Sequence, residues 1–314
     1  MKKICVFGSL AYDHIMDHPG KFSDNIMPDK IHMLNVGFLI SELKDSFGGT
    51  AGNICYNLAL LKEQPIMISS AGNDFDKYKQ WLMPFSIDTS HVKIVEEVPT
   101  AAAYIITDAG DNQITAFYPG AMNHPADEDS PDLRDIDIAI LSPGNKDNIF
   151  GLSKLFKKLG IRYIFDPGQM ITSLATLPEF KECIFGAHVF IANDYEVSYI
   201  LEKTNVTKKE ILSHVDALIT TLGEKGSFIE TKEKTYEIPP AKPLNTCDPT
   251  GAGDAYRAGL IKGMVLDLGW LVSGRLGSIV SVYTVEQYGT QTHTFSLQGI
   301  KKRYEENYKE KLSI

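Results

Sequence analysis

Over residues 247–259 the chain reads CDPTGAGDAYRAG, so Gly251, Ala252 and Gly253 stand directly before an acid, Asp254, where a helical pattern begins. Glycine inside a helix costs about 1 kcal/mol relative to alanine. Clustered glycine at that point implies a ligand that must approach the backbone itself. The unpaired N–H groups of a helix start, reinforced by the helix dipole, suit an anion. A carboxylate beside a bound phosphate is repelled unless it is there to accept a proton from an attacking hydroxyl. Asp254 is therefore expected to be a base, with its pKa lowered by the helix start. A capping role worth roughly 1 kcal/mol is the alternative, but a cap needs no Gly-Ala-Gly before it. Two common nucleotide signatures are missing. G-x-x-x-x-G-K-[ST] does not occur, and G-x-G-x-x-G counted from Gly251 ends on Tyr256.

These residues need a frame. KICVFG, PIMISSAG, DIAILSPG, RYIFDPG, HVFIAN and DALITTLG are short apolar runs stopped by Gly, Pro, Asn or Asp. Helical patterns lie between many of them, as over 53–62, where Ile54, Leu58 and Leu61 share a face. Strand, helix, strand at this spacing predicts an α/β fold with a parallel sheet and helices on both sides. Ligands of such sheets bind beyond the carboxyl ends of the strands. Those ends carry Ser9 and Asp13, Asn145, Asp166 and Gln169, Asn193 and Glu196, and Thr221 and Gly223, which together describe a polar crevice. Residues 31–46 and 99–118 read as strands with no helix between them. The second has a hairpin turn at Ala109-Gly110-Asp111-Asn112. They predict either a small β-flap able to close over a ligand or an extension of the main sheet.

The chain has 314 residues, 43% hydrophobic and 23% charged, the composition of an ordinary soluble protein. Its net charge of −9 argues against a nucleic-acid partner, which would want a basic patch. Cys5, Cys55, Cys183 and Cys247 are far apart and include no C-x-x-C pair, which suits reduced thiols in the cytoplasm. The opening MKKICVFGSLAYDH reads as a first strand rather than a signal peptide. No apolar run approaches the roughly 18 residues of a membrane span. His14 and His18 have i, i+4 spacing, but Pro19-Gly20 follows and no carboxylate motif accompanies them, so they do not read as a zinc site.

Four stretches resemble, in order, the signatures of the ribokinase-like (PfkB-type) carbohydrate and nucleoside kinases. They are FGGTAGNICYNLALL (47–61), NDYE (193–196), TTLGEKGS (220–227) and DPTGAGD (248–254), and the likeness covers nearly the whole chain. GSLAYDHIM, FYPGAM, DPTGAGDAYRAG and YGTQ are most similar to the bacterial adenosine kinase or purine nucleoside kinase branch. The resemblance implies a three-layer α/β/α fold with a mostly parallel central sheet and a small β-sheet lid. One kinase domain would span 1–314, its lid built from segments near 13–20, 31–46 and 99–118.

The implied activity is ATP- and Mg²⁺-dependent transfer of the γ-phosphate to the 5′-hydroxyl of adenosine or a related purine nucleoside. Asp254 would be the base, and the backbone of Gly251, Ala252 and Gly253 the anion hole. Asp13, Gly49 and Asn53 would hold the sugar hydroxyls, with Ser9 and Gly48 beside them. Phe117 would stack on the base, and Gln169 would hydrogen-bond it or lie alongside. Asn193 and Glu196 would organise Mg²⁺ through its waters, and Asn193, Thr221, Gly223, Gly226, Gly251 and Gly253 would line ATP. A monovalent cation requirement and a homodimer through the lid are left open.

Each residue also has a plainer reading. Asp13 could end a turn, Asn193 and Glu196 could form a capping box, and Arg257 could reach a phosphate or be a surface charge. Two departures from the family pattern bear on function. Pro249 stands where many members have threonine, and Ala103 stands where some bacterial adenosine kinases have an aromatic residue, which leaves room for a broader nucleoside range. The alternatives carried forward are a sugar kinase of the same family, a non-catalytic nucleoside-binding protein and a dehydrogenase.

Overall fold

The computed structural model describes residues 2–26, 33, 35–110, 112–128 and 131–314. The chain begins with β1 (Ile4–Phe7), β2 (Ala11–Asp17), β3 (Glu42–Gly48), α1 (Thr50–Leu60), β4 (Ile66–Gly72), α2 (Phe75–Leu82), β5 (Asp88–Val95), β6 (Ala101–Thr107) and β7 (Gln113–Tyr118). It continues with β8 (Ile138–Leu141), α3 (Lys146–Leu159), β9 (Arg162–Phe165), α4 (Ile171–Leu174), α5 (Pro178–Gly186), β10 (Val189–Asn193), α6 (Asp194–Thr204) and α7 (Lys208–His214). The last elements are β11 (Ala217–Thr221), β12 (Ser227–Glu230), β13 (Thr235–Ile238), α8 (Ala252–Val265), α9 (Gly269–Val285) and α10 (Leu297–Tyr308).

Nine strands form the large sheet in the order β13-β12-β11-β10-β9-β8-β1-β4-β5. It is parallel from β5 to β11, with β12 and β13 antiparallel at one edge. Successive side chains of a strand point to opposite faces, and β1 shows the result. Ile4 and Val6 pack with α1, α8 and α9, while Cys5 and Phe7 pack with α3 and α5. Two apolar cores on either side of one sheet make the three layers that the sequence predicts. Among the described residues no helix is long and apolar enough to cross a membrane.

A separate four-stranded sheet, β3-β2-β6-β7, stands outside the large one, so the second flap segment does not extend the main sheet. The segment 31–46 read as strand, yet pairing begins only at Glu42, and residues 35–40 have no regular structure. Residues 31, 32 and 34 of that segment lie outside the described residues. The partner strand sets the limit. β2 pairs with β3 from Ala11–Gly48 to Asp17–Glu42, and two residues later Pro19 has no N–H to offer. At the β6–β7 turn the Asp108 carboxylate accepts the N–H groups of Gly110 (2.8 Å) and Asn112 (2.9 Å). Asp111, part of the predicted hairpin turn, lies outside the described residues.

Helix α1 starts earlier than its apolar period suggests because β1's end caps it. The Ser9 hydroxyl accepts the Thr50 N–H (3.1 Å), and the Ser9 carbonyl accepts that of Ala51 (3.0 Å).

Candidate active site

The carboxyl ends of β1, β9, β10 and β11, one face of the small sheet and the start of α8 enclose a cavity of about 740 Å³. The small sheet contributes a cross-strand row. Asp13 on β2 sits opposite Ala103 on β6, which sits opposite Phe117 on β7. Alternation brings these three to one face, and all three line the cavity with Ala11 and Ile105. Phe117 is half-exposed, its ring open to that space. Burial pushes the Asp13 carboxyl up to about 6; Asp248 and Asp254 add to the rise and His14 opposes it.

The start of α8 forms the opposite wall. Gly251 is its N-cap at φ +77°, a left-handed conformation that a side chain would strain. Gly253 is glycine for a second reason. A Cβ there would lie 2.8 Å from Arg257 Nη1. Ala252 does not offer its N–H to the cavity, since that group donates to the Pro249 carbonyl (3.1 Å). Among the described residues the N–H groups of Gly251, Gly253 and Asp254 have no protein acceptor. The free amides of this helix start are thus those of Gly251, Gly253 and Asp254, not the expected Gly251, Ala252 and Gly253.

Asp254 lies in the first turn, and its Oδ2 accepts a hydrogen bond from Asn53 Nδ2 at 2.8 Å. The helix start was expected to lower its pKa, and the structure corrects this. Burial pushes it up to about 6, against the lowering effects of Arg257 and the Asn53 N–H. Desolvation by burial is the largest contribution, and it disfavours the charged carboxylate. Asn53 is correspondingly less free to hold sugar hydroxyls. Its Nδ2 serves Asp254, and its Oδ1 accepts from Gln291 Nε2 (3.0 Å).

Arg257 is not a surface charge; it lines the cavity while paired with an acid. It is buried with Asp166 at the end of β9, donating to that carboxylate through Nε and through Nη2 (2.8 Å). Its Nη1 donates to the Gly253 carbonyl at 2.9 Å. On β10 and α6 the plainer reading of NDYE is present in full. Asn193 Oδ1 accepts the Glu196 N–H (2.7 Å), and Glu196 Oε2 accepts the Asn193 N–H (2.8 Å). Both side chains nevertheless line the cavity, and burial raises the Glu196 pKa.

Ser9, Gly49, Gln169 and Thr221 also reach the cavity wall. Gly48, Gly223, Gly226 and Ala252 do not. Gly48 lies behind Asp13, where a Cβ would come within 2.3 Å of the carboxylate. Gly223 and Gly226 shape the β11–β12 turn, closed by the Leu222 N–H on the Gly226 carbonyl (2.8 Å). Asn145, grouped with the crevice by its strand end, instead caps α3 through the N–H groups of Asp147 and Asn148.

The sequence reading missed Trp81 and Tyr78, and it noted Gln291 only as the end of YGTQ, with no role; all three stand behind Asn53. Gln291 contacts a residue 238 positions away, a separation no local pattern reports.

A cavity at the strand ends with an acid and free amides on one wall and a polar-aromatic row on the other suits a small-molecule phosphotransferase. The pfkB family of carbohydrate kinases matches residues 1–296, and the chain belongs to that family. It is 31% identical over 315 residues to a nucleoside kinase of Methanocaldococcus jannaschii, covering 98% of each chain. Among solved structures it is similar to the Burkholderia thailandensis nucleoside kinase in complex with inosine. The identity there is 33% and the TM-score 0.86, over 98% of this chain and 99% of that one. The same enzyme in complex with ADP-inosine aligns at 34% identity and a TM-score of 0.83, over 98% and 97%. Ribokinase of Arabidopsis thaliana, complexed with ribose and ATP, is 19% identical with a TM-score of 0.78 over 97% and 99%, a likeness of fold alone. The fold is therefore ribokinase-like, and the dehydrogenase alternative falls.

Proposed function

We propose that this chain is a nucleoside kinase that transfers the γ-phosphoryl group of ATP to the 5′-hydroxyl of adenosine or a related purine nucleoside. The observation that carries the reading is one cavity with two unlike walls. On one side Asp254 stands beside the unpaired amides of Gly251 and Gly253; on the other Asp13 and the Phe117 ring share a row. A carboxylate that accepts from two vicinal hydroxyls suits a ribose, and a half-exposed ring suits a flat base. A half-exposed ring set apart from Asp13 along the row suits a base beyond the sugar, and with the nucleoside kinase relatives this favours the nucleoside over the sugar-kinase alternative. Ala103 beside it leaves space for more than one purine.

Phosphoryl transfer asks the protein mainly for positioning and charge stabilisation. Asp254 takes the proton of the 5′-hydroxyl, the freed oxygen bonds to the γ-phosphorus, and the bond from that phosphorus to ADP breaks. With a pKa of about 6, Asp254 is ionised at neutral pH and more basic than an ordinary aspartate. The amides of Gly251, Gly253 and Asp254 meet the charge on the transferring group. ATP would lie from Thr221 and Asn193 toward these amides. Among the described residues no three His, Cys, Asp or Glu side chains gather as a metal cage. The oxygen donors of Glu196 and Asn193 suit Mg²⁺ held largely by water and phosphate, and the ion would neutralise phosphate charge. The small sheet would close over the nucleoside and keep water from the ATP.

The test is phosphate transfer from ATP–Mg²⁺ to a panel of nucleosides and free sugars, run beside Asp254→Asn. Nucleoside 5′-monophosphate is the expected product, with turnover in the variant down by about 10²–10⁴-fold. Phosphorylation of ribose or fructose alone would sink the nucleoside assignment. Undiminished turnover in the variant would remove Asp254 as the base.

A further inference from the structure

We infer that Gln291 is a positioning residue for Asp254, oriented in turn by Trp81, an inference that rests on the reading of Asp254 as base. The argument runs on donor and acceptor types. An indole N–H can only donate, and Trp81 Nε1 lies 3.0 Å from Gln291 Oε1. That contact fixes which end of the Gln291 amide is which. Its Nε2 must face the other way, where it donates to Asn53 Oδ1 (3.0 Å) and to the Tyr78 hydroxyl (2.5 Å). Tyr78 uses its own proton on the Gly48 carbonyl (2.8 Å), so it is an acceptor toward Gln291. With Oδ1 occupied, Asn53 has only Nδ2 to present to Asp254 Oδ2. Each step permits one arrangement, and the series ends on the base.

The relay is also rigid. Gln291 is 2% exposed and Tyr78 fully buried. The segment around Gln291 is stitched to α1 and β3. Thr290 Oγ1 donates to the Phe47 carbonyl (2.8 Å), the Tyr56 hydroxyl to the His293 carbonyl (2.6 Å), and His293 Nε2 pairs with Asn57 Oδ1 (2.8 Å). One Asp254 oxygen is thereby held by a fixed donor, and the other is left to take the substrate hydroxyl.

Gln291→Met keeps an unbranched side chain and removes the amide, releasing Asn53 to rotate. The expected result is a fall in kcat of about 10- to 100-fold, the cost of a misplaced reacting group. KM for nucleoside and ATP should stay within about threefold, because Asp13 and the small-sheet face are untouched. The acid limb of the kcat profile should move to higher pH as Asp254 loses its fixed N–H. Charged neighbours of the base, Arg257 with Asp166 across the sheet end and Asp13 on the small sheet, are the same in both proteins, so the movement reports Asn53. Trp81→Phe keeps a ring and removes the orienting N–H. Its expected loss is smaller, roughly 2- to 10-fold, and it serves if Gln291→Met does not fold. Wild-type kcat in a folded variant, beside an inactive Asp254→Asn, would overturn the relay. So would parallel losses in kcat, both KM values and melting temperature, which mark a merely structural role. If Asp254→Asn itself turns over, the base assignment fails, and that outcome is distinct.

Discussion

Asp13 and Asp254 share a property that the sequence does not advertise: burial pushes both carboxyls up to about 6. The proposed reaction would need both ionised, one to accept a proton and one to hold hydroxyls. The acid limb of kcat/KM should therefore fall with a slope between one and two, centred near pH 6, as expected of neighbouring acids that titrate together. Asp13→Asn should reduce the slope to one while raising KM for the nucleoside; an unchanged slope would take Asp13 out of the titration. The same shifts act on stability. Folded pKa values above the unfolded value near 3.9 mean a contribution that is present at pH 4 and lost as pH rises through 6. His293 has the opposite sign. Burial lowers its pKa to about 4, so its contribution is present above 6.5 and lost as pH falls toward 4. At this scale the sequence was legible where the pattern is local. Gly-Ala-Gly followed by Asp254 pointed to a helix start that lines the cavity, but the direction of the Asp254 pKa shift depends on how much protein covers it.

Helix α8 is held to the sheet by an ion pair rather than by apolar packing alone. Arg257 spans from its second turn to Asp166 at the end of β9 and ties back to the Gly253 carbonyl in the first turn. Both partners are buried, so removing one strands the other. Arg257→Met should cost roughly 3–5 kcal/mol of stability in urea unfolding. Pairing it with Asp166→Leu should return most of that stability but not the activity, since the Gly253 carbonyl stays untethered. A double variant no more stable than the single one would show that the pair does not anchor the helix. Strands β1 and β8–β11 were legible because short Ile- and Val-rich runs end at Gly, Pro, Asn or Asp. The starts of β3 and α1 were not, because a partner decides each. β2 runs out of pairing at Asp17, and Ser9 supplies the cap for Thr50.

At the scale of the molecule, two sheets face one cavity; the larger has an apolar core on both faces, whereas the smaller joins a core only through residues near its base such as Tyr12 and Ala102. Every residue of β7 is exposed, and Tyr104, Ile114 and Tyr118 stand with Phe117 among the exposed large apolar side chains. Nucleoside binding should slow amide hydrogen exchange in β2, β6 and β7 while leaving β8–β10 unchanged. Equal protection by ATP alone, or none by nucleoside, would separate the small sheet from the nucleoside. Two strand-like segments without an intervening helix left a flap and an extension of the main sheet equally open, and only the family resemblance implied a separate small sheet. Its register, which brings Asp13, Ala103 and Phe117 into one row, was not, because β2 and β6 are parallel neighbours joined through 83 intervening residues of other structure.

That row has a consequence for descent. The side chains that would touch the nucleoside base hang from β6 and β7, whereas the transferring machinery hangs from α8, α1 and the segment around Gln291. The side chains of Ala103, Ile105 and Phe117 have no group with which to hydrogen-bond that machinery, and they reach the cavity from other elements. On the proposed reading, substitutions at these three positions would alter the acceptor before they alter the transfer step, so a gene of this kind would inherit its chemistry intact while its acceptor changes.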